Sequence, residues 1–533
     1  PRAAIVSGSI TYSIGLLEAY YGNNTCTATA PVFNSTSFAQ GTGAFQYLEY
    51  VKLPATVTWA SIANMFSTCS KLFVVVMPTS GANLTSLTTT FQNCMNLLDI
   101  TFPSNATGIT TLNQTFTGCI NLRTVSFPTA LNSCTQFSNA FTYCTSLKNI
   151  TFPSINLATG FNSTFSECTG LLWVKFTSLP SPASSGTAID CTNFFSNCAS
   201  LENVYFPSTC SANARYGASQ MFLSCANLRT LIFPTNFDCS TIGSIFQSCT
   251  LLNSVVFPNG FTACNNMASA FNGCINLDSV TLPTTMGSNV DVSNVFVNCR
   301  SLTGVTIPST YNITSLASTF NGCLNISTIT LPNNNQNNIT TLAAMCSSCY
   351  NLKTITMPTS LTGVTTMFSC FERCFELESV TFPSTMNSVT TIGSIFSTCY
   401  SLTSVTMPTS MSACTNFSSI FAQCFKITSI TLPATVSAAA TTYANAFQLC
   451  MSLKTITLPT TQQTSLTTFA TAFNSCGALT TINNLDKLGS LTATPLVNGD
   501  SNTFMNLETA LSFACPLSKL ILNGQSATNF NLL

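Results

Sequence analysis

The motif F-x-x-C-x-x-L-x-x-[VI]-x-[FLMI]-P recurs every 24 to 30 residues, most often after 25, between Phe66 and Cys476. A fixed period of this length indicates a solenoid, in which each repeat forms one coil and buries its apolar side chains against the neighbouring coils. Seventeen cysteines mark the repeats: Cys69, Cys94, Cys119, Cys144, Cys168, Cys198, Cys225, Cys249, Cys274, Cys299, Cys323, Cys349, Cys374, Cys399, Cys424, Cys450 and Cys476. The period therefore constrains the fold, and function must come from the surfaces and ends of the array.

Each repeat contains two kinds of apolar spacing. In the segment 267–274, apolar residues at positions i, i+3, i+4 and i+7 predict a short helix. In the segment 280–282, apolar and polar residues alternate, which predicts a short strand. A proline, which lacks an N–H and suits a strand exit, follows this strand in 15 of the 17 repeats. The predicted core positions are Phe271, Cys274, Leu277, Val280 and Leu282 with their equivalents.

Stacked coils of this kind predict an α/β repeat solenoid with a parallel sheet on one side and short helices on the other. Two degenerate coils, at 45–54 and 514–522, lack the cysteine and bring the expected count to about nineteen coils. We divide the chain into an N-terminal extension that caps or assembles (1–41), the solenoid (42–485) and a C-terminal degenerate coil and cap (486–533).

The repeat unit resembles the leucine-rich repeats of the BspA-like type over roughly residues 45–522. The resemblance implies a leucine-rich-repeat solenoid. Members of that family are commonly secreted or surface-exposed and act in adhesion, host contact or surface assembly, with no common catalytic residues. The resemblance thus implies an extracellular or cell-surface scaffold without a cofactor. This sequence departs from the family in its low charge and its added cysteines.

The composition excludes several classes of partner. Charged residues make up 6% of the chain, with 15 basic and 15 acidic side chains, so the sequence offers no basic stripe for nucleic acid. No run of 18 apolar residues is present, so the sequence predicts no membrane span. The first residue is Pro1 rather than Met, which favours a processed or truncated start.

Catalysis is not expected from this sequence. Histidine is absent, which removes the usual general base and every histidine-dependent triad or metal site. The close carboxylates Glu372, Glu376 and Glu378 stand beside Arg373, as in a solvated charge cluster. No phosphate-binding or nucleophile motif stands in a supporting context.

The 27 cysteines allow two interpretations, a disulfide-bonded rod or a core of buried thiols. The repeat cysteine follows the conserved Phe by three residues on the apolar side, which favours burial as a small, soft side chain. Four further cysteines occupy a column that otherwise holds aliphatic residues: Cys134, Cys239, Cys264 and Cys414. Two disulfides remain as alternatives, Cys239 with Cys264 and Cys191 with Cys210. If Cys26 and Cys515 form disulfides, we expect local or intersubunit bonds.

One cysteine cluster has the spacing of a metal site. Cys346 and Cys349 are followed one repeat later by Cys370 and Cys374. Four convergent thiolates would bind zinc tetrahedrally. The alternative is that these residues are further core substitutions or one disulfide.

A column of threonines occupies an outward strand position in eight successive repeats: Thr281, Thr306, Thr330, Thr356, Thr381, Thr406, Thr431 and Thr457. Threonine favours exposed strands, so the column is consistent with sheet stability alone. It is also a possible contact ladder for a glycan or a protein. Its flat T-x-T array resembles the ice-binding faces of some β-solenoids, a further alternative.

Eleven sequons could accept N-linked glycan: Asn23, Asn34, Asn83, Asn105, Asn113, Asn149, Asn162, Asn312, Asn325, Asn338 and Asn416. The abundance of Asn, Ser and Thr makes such a number expected by chance, so the sequons do not establish a glycoprotein.

Two function classes remain. The first is a non-catalytic extracellular structural protein that self-assembles head to tail into a filament or surface layer. The apolar end segments 3–21 and 517–533 and the zero net charge favour it. The second is a surface adhesin or receptor that binds a glycan or protein through a solenoid face.

Overall fold

One turn of the chain shows how the repeat sequence folds. Phe91 and Cys94 are buried, and the strand Asp99–Thr101 follows them. Ile100 points into the core while its two strand neighbours are exposed, as the alternating pattern predicts. Pro103 follows the strand and, having no N–H, suits a position where strand pairing stops.

The computed structural model describes residues 16–21, 24–29, 48–53, 60–258, 260–333, 338–467, 472–484, 487, 521–522 and 525–526. The chain forms two compact units, residues 1–261 and 262–533. Eight repeat cysteines belong to the first unit and nine to the second.

The strands of the first unit are β1 (Leu16–Tyr21), β2 (Asn24–Thr29), β3 (Tyr50–Lys52), β4 (Val74–Val76), β5 (Asp99–Thr101), β6 (Thr124–Ser126), β7 (Asn149–Phe152), β8 (Trp173–Phe176), β9 (Thr187–Asp190), β10 (Asn203–Tyr205), β11 (Ala214–Gly217), β12 (Thr230–Ile232), β13 (Asp238–Thr241), β14 (Ser254–Val256) and β15 (Gly260–Phe261). Their sheets have the orders β2-β1-β3-β4-β5-β6, β10-β8-β7, β13-β11-β9 and β12-β14.

The strands of the second unit are β16 (Thr285–Met286), β17 (Val290–Asp291), β18 (Ile313–Ser315), β19 (Thr328–Thr330), β20 (Thr354–Thr356), β21 (Ser379–Thr381), β22 (Ser404–Thr406), β23 (Ser410–Met411), β24 (Ser429–Thr431), β25 (Thr435–Val436), β26 (Thr455–Thr457), β27 (Thr481–Asn483), β28 (Ile521–Leu522) and β29 (Gln525–Ser526). Their sheets have the orders β17-β18, β19-β20-β21-β22, β23-β25 and β24-β26-β27-β28-β29.

Strands of neighbouring turns pair in parallel, and equivalent residues of successive repeats lie side by side. In the first unit Ile100 of β5 pairs with Val125 of β6. In the second unit Ile329 of β19 pairs with Ile355 of β20. The repeat period therefore becomes columns of equivalent side chains, spaced by the ~4.8 Å between strands.

Antiparallel strands flank the parallel strands in each unit. In the first unit β1 pairs antiparallel with β3, and β2 pairs antiparallel with β1. In the second unit β28 pairs in parallel with β27 and antiparallel with β29. The outer edge of β3 is thus covered by a strand of the same chain.

The prediction of short helices is wrong: no α-helix is present in the described residues. The segment 267–274 forms consecutive turns, in which Ser269 and Gly273 have φ of 58° and 78°. A right-handed helix does not accommodate such left-handed residues. The N–H of Phe271 donates to the carbonyl of Val295 in the next turn at 2.9 Å, instead of to a carbonyl four residues earlier.

The structure contains about seventeen turns, so the predicted count of nineteen coils is not supported. The first degenerate coil contributes β3, with Leu48, Val51 and Leu53 buried. The second contributes β28 to the described part of the chain. Val280 is half-buried rather than fully buried, and no regular strand forms at 280–282.

Stacked phenylalanine rings form the centre of the core in both units. Centroids of Phe91 and Phe116 lie 5.5 Å apart with their planes at 12°, and Phe271 and Phe296 lie 5.6 Å apart at 10°. The predicted core position of the conserved Phe is confirmed throughout the described repeats that carry it. Offset stacking of this kind adds to the apolar burial of each ring.

All seventeen repeat cysteines are buried, as predicted. Almost every one donates its S–H to the backbone carbonyl of the conserved core position one turn earlier. For example, Cys119 Sγ lies 3.0 Å from the oxygen of Phe91, and Cys399 Sγ lies 3.1 Å from that of Phe371. The thiols therefore link successive turns through a column of hydrogen bonds.

The structure contains neither of the two alternative disulfides. Cys191, Cys239 and Cys264 are buried thiols, and Cys210 is a half-buried one. The Cys210 S–H donates to the carbonyl of Thr235 at 3.4 Å. The column of additional cysteines is buried, which confirms its predicted place in the core. Cys515 and the side chain of Cys26 lie outside the described residues.

Candidate interaction surface

In each unit, the strand that precedes the repeat proline points alternate side chains toward solvent. We call the surface formed by these outward side chains the sheet face. In the second unit this face carries the predicted threonine column. Parallel pairing places Thr330 beside Thr356, and Thr381 beside Thr406. Seven of the eight threonines are exposed, and Thr457 is half-buried. The sequence thus predicted the placement of this column, while its role as a contact ladder stays a prediction.

A shallow groove of about 950 Å³ runs over part of the threonine column. It spans Thr281, Thr306, Thr330 and Thr356, and Gly304 is among the residues that line it. A Cβ at Gly304 would meet nothing within 4 Å, so the surface is open there. No charged side chain lines this groove. Hydroxyl groups and apolar side chains form the surface of the groove.

The same outward strand position is apolar in the last three turns of the first unit. Tyr205 is 51% exposed, Ile232 is 68% exposed and Val256 is 52% exposed, on β10, β12 and β14 respectively. Together with Trp173 on β8, these residues form what we call the sheet-face patch. Burial would be expected of such side chains, so their exposure in one contiguous group indicates a contact surface.

The backbone fixes the geometry of the sheet-face patch. β8 pairs with β10, and the rings of Trp173 and Tyr205 meet edge to face with centroids 6.3 Å apart. β12 pairs with β14, which places Ile232 directly beside Val256. The patch therefore holds two aromatic side chains on one sheet and two branched aliphatic side chains on the next.

Basic residues border the sheet-face patch. Lys175 pairs with Tyr205 across β8 and β10, and Lys148, Glu202 and Arg229 precede their strands in neighbouring turns. All four charged side chains are exposed, and none forms an ion pair within the described residues. Three cations against one anion give this border a positive charge in a chain whose net charge is zero.

Sequence reasoning missed the sheet-face patch, although a signal was present. Tyr205, Ile232 and Val256 occupy the strand position that holds threonine in eight later repeats. Large apolar residues at a position that the repeat otherwise keeps polar are informative, because the alternation rule places them in solvent.

The predicted zinc ligands do not form a metal site. Among the residues that the structure describes, no group of three or more His, Cys, Asp or Glu side chains is arranged to hold a metal ion. Cys349 donates to the carbonyl of Phe320 at 3.0 Å, and Cys374 donates to that of Cys346 at 3.1 Å. Burial raises the pKa of the Cys346, Cys370 and Cys374 thiols well above its ordinary value, which opposes the thiolate form that zinc binds.

The sequons differ in exposure. The exposed asparagines are Asn83, Asn105, Asn149, Asn325 and Asn338. The half-buried ones are Asn113, Asn162, Asn312 and Asn416, and Asn23 and Asn34 lie outside the described residues. Glycosylation at any of these positions stays a prediction.

Two further sequence features have simple structural counterparts. In the acidic cluster Arg373 and Glu372 approach within 3.9 Å, a surface ion pair.

No helix long and apolar enough to cross a membrane is found in the described ranges.

Comparison with solved structures returned further leucine-rich repeat proteins. One from Bacteroides ovatus is 18% identical with a TM-score of 0.36, over 87% of this chain and 93% of that chain. A leucine-rich cell surface protein from Faecalibacterium prausnitzii is 18% identical with a TM-score of 0.34, over 75% and 95%. The leucine-rich repeat protein of T. pallidum is 20% identical with a TM-score of 0.21, over 50% and 89%. No curated protein matches the chain.

The family comparison covers most of the solenoid. The model described as BspA type leucine rich repeat region (6 copies) matches residues 26–111, 88–211, 183–290, 268–391 and 365–495. These overlapping matches extend into both units and cover the parallel strands from β3 to β27. The chain therefore belongs to the family of proteins with BspA-type leucine-rich repeats.

Proposed function

We propose that this chain is a non-catalytic binding protein of the cell surface or extracellular space, and that it binds a protein partner through the sheet-face patch. The observation that carries the proposal is the exposure of Tyr205, Ile232 and Val256 on adjacent turns of the first unit. Proteins with these repeats are typically surface proteins that bind, and the family is generally non-enzymatic.

The chemistry of the sheet-face patch favours a protein over a sugar. Tyr and Trp supply large, rigid contact areas and dominate the energy of many protein interfaces. Ile232 and Val256 offer aliphatic surface, which an apolar side chain of a partner would cover. Lys175 and Arg229 at its border favour acidic residues around that apolar side chain.

Selection from a peptide library tests this proposal. Peptides displayed on phage would be selected against the full chain and then measured against variants. We expect enriched peptides to combine an aromatic or aliphatic residue with Asp or Glu. Tyr205→Ala with Ile232→Ala should weaken their binding at least about 100-fold, because both residues would lie at the centre of the contact.

The matched control changes the same strand position in the second unit. Thr381→Ala with Thr406→Ala removes two exposed side chains and should leave peptide binding unchanged. Peptides whose binding is lost in this control but retained in the Tyr205/Ile232 variant would instead assign the contact to the threonine column. Failure to enrich any peptide would argue against a protein-binding patch.

Self-assembly into a filament or layer is the second candidate. The zero net charge favours it, since copies of the chain do not repel one another. Against the head-to-tail mode, β1 already covers the outer edge of β3. Negative-stain micrographs of the full chain distinguish the candidates, because filaments or lattices would support assembly and isolated particles would support binding.

A further inference from the structure

A second exposed apolar feature lies in the second unit, away from its sheet face. It occupies the position directly after the repeat cysteine in six consecutive turns, and we call it the apolar column. Its members are Leu324, Tyr350, Phe375, Tyr400, Phe425 and Met451. Tyr350 is 36% exposed and Met451 is 54% exposed, while the four residues between or beside them are half-buried.

The four central side chains form a continuous ring stack. Centroids lie 4.4 Å apart for Tyr350 and Phe375, 4.9 Å for Phe375 and Tyr400, and 4.8 Å for Tyr400 and Phe425. The ring planes deviate from parallel by at most 18°. Because Phe375 and Tyr400 have a ring on each side, neither offers a free face on which a sugar ring could stack.

Two opposite charges beside the apolar column lie at equal distances from its fourth turn, the turn of Tyr400. Glu376, Ser401 and Lys426 each follow a ring residue in three consecutive turns, and all of them border the stack. Glu376 and Lys426 are exposed. The Lys426 Nζ donates to Ser401 Oγ at 3.3 Å and has no ion-pair partner in the described residues. The turn before that of Tyr400 thus carries an anion and the turn after it carries a cation.

We propose that the apolar column is a dimer interface with a second copy of this chain, related by a two-fold axis that passes through the turn of Tyr400. A two-fold axis there would place Phe375 opposite Phe425 of the second copy, and Tyr400 opposite its own equivalent. Glu376 would face Lys426 of the other copy twice, once on each side of the axis.

The order of the two charges identifies the occupant as a second copy of the chain, because the order becomes complementary to itself when one copy is reversed. A parallel arrangement would place Glu376 opposite Glu376, and like charges in contact disfavour it. An arrangement by the two-fold axis pairs opposite charges and covers the exposed apolar residues. The six turns extend about 24 Å at the ~4.8 Å strand spacing, so the interface is small and the expected dissociation constant is of the order of micromolar to tens of micromolar. This inference is independent of the proposed function, because it concerns another surface and unit.

Analytical ultracentrifugation of the full chain over a range of concentrations tests the proposal. We expect the wild type to pass from monomer to dimer, and Tyr400→Lys to remain monomeric because it introduces two facing cations at the axis. Glu376→Lys and Lys426→Glu should each raise the dissociation constant roughly tenfold or more. The double variant, Glu376→Lys with Lys426→Glu, should return it to near the wild-type value.

Tyr143→Lys is the matched control, because Tyr143 is 53% exposed but belongs to the first unit. It should leave dimerisation unchanged, and circular dichroism would verify that every variant folds. A wild type that remains monomeric throughout would overturn the proposal. A double charge variant that dimerises no better than the single variants would overturn the two-fold arrangement.

Discussion

Two properties suit the repeat cysteine to its position. Its side chain is small, and its S–H group is a weak hydrogen-bond donor. Its thiol fills the space between turns and gives its hydrogen to a carbonyl of the preceding turn, as Cys144 does to Phe116 at 3.2 Å. That carbonyl also accepts the N–H of Cys119 within its own turn at 3.0 Å, so both lone pairs are used. A buried carbonyl that accepts two hydrogen bonds costs little to bury, which explains why the column can run through the core.

Burial of the thiols predicts a loss of stability in alkali. Burial raises the pKa of Cys69 and of Cys134 from 9.0 to about 12. Below pH 9 the thiols are protonated in both the folded and the unfolded chain, so their contribution to stability is fully present. As pH rises further, the unfolded chain loses protons that the folded chain retains, and the free energy of unfolding should fall by about 1.4 kcal/mol per pH unit for each such thiol.

Urea unfolding followed by circular dichroism between pH 7 and pH 11 would measure this loss. Tyr and Lys also titrate in this range, so a variant is needed that isolates the thiols. In the double variant Cys119→Ala with Cys144→Ala, the free energy of unfolding should fall less steeply with pH. The difference in slope should correspond to about two protons. A wild type whose free energy of unfolding stays constant above pH 9 would contradict the account.

At the scale of the element, the solenoid turn depends on left-handed residues. Thr89 and Asn93 have φ of 54° and 58°, and most repeats have a left-handed residue at one or both equivalent positions. These positions are filled mainly by Asn, Ser, Thr, Gln and Gly, of which Gly and Asn adopt this conformation at the lowest cost. Alternate N–H groups then face the next turn, so hydrogen bonds join turns where a helix would bond within itself.

Ala344 provides a direct test of this backbone conformation. Its φ is 51°, whereas Ala343 beside it is not among the left-handed residues. We expect Ala344→Gly to raise the free energy of unfolding by up to about 1 kcal/mol, because glycine removes the steric cost of the left-handed region. Ala343→Gly should lower it by roughly 0.5–1 kcal/mol through added freedom of the unfolded chain. Urea unfolding would compare them, and a change of the same sign in both would contradict the assignment.

The helix prediction failed for a physical reason that concerns this element. Apolar spacing reports which side chains are buried, and both a helix and a closely wound turn bury positions i, i+3, i+4 and i+7 of the segment 267–274. The distinguishing signal was the recurrence of polar, turn-favouring residues such as Ser269 within the supposed helix. The strand prediction failed for the segment 280–282 but succeeded at the equivalent position of most repeats, as in Asp99–Thr101. It succeeded there because strict alternation of apolar and polar residues matches the two-residue period of a half-buried strand, and a closely wound turn does not produce that period.

At the scale of the whole molecule, the period predicted the solenoid, the buried cysteines and the threonine column, since all three follow from stacking identical units. The alternation rule could have located the sheet-face patch, whereas the apolar column required knowledge of whether the side chains after the repeat cysteines face solvent. Tyr350, Phe375 and Tyr400 directly follow core cysteines. Whether these side chains face solvent depends on the backbone conformation of the turn after the cysteine, which the motif does not predict. Departures from the repeat, rather than the repeat itself, therefore carry the candidate contact surfaces.

The ends of the array decide between capping and assembly, because an uncovered strand edge invites pairing. β1 pairs with β3 through Ala19 and Val51, so the segment Leu16–Tyr21 covers the strand edge of its own chain. We expect deletion of residues 1–21 to increase hydrogen exchange in β3 and β4, since each turn of a solenoid depends on its neighbours. Exchange in the second unit should stay unchanged.

Deletion of residues 1–15 is the matched control for this experiment, because it retains β1, and exchange in β3 should then remain at the level of the full chain. The two functions predict different results for the longer deletion. If the segment is a cap, the shortened chain loses local stability and keeps the association state of the full chain. If exchange in β3 were unaffected and micrographs showed that filaments of the full chain had disappeared, the segment would act between copies, and head-to-tail assembly would replace binding as the favoured function.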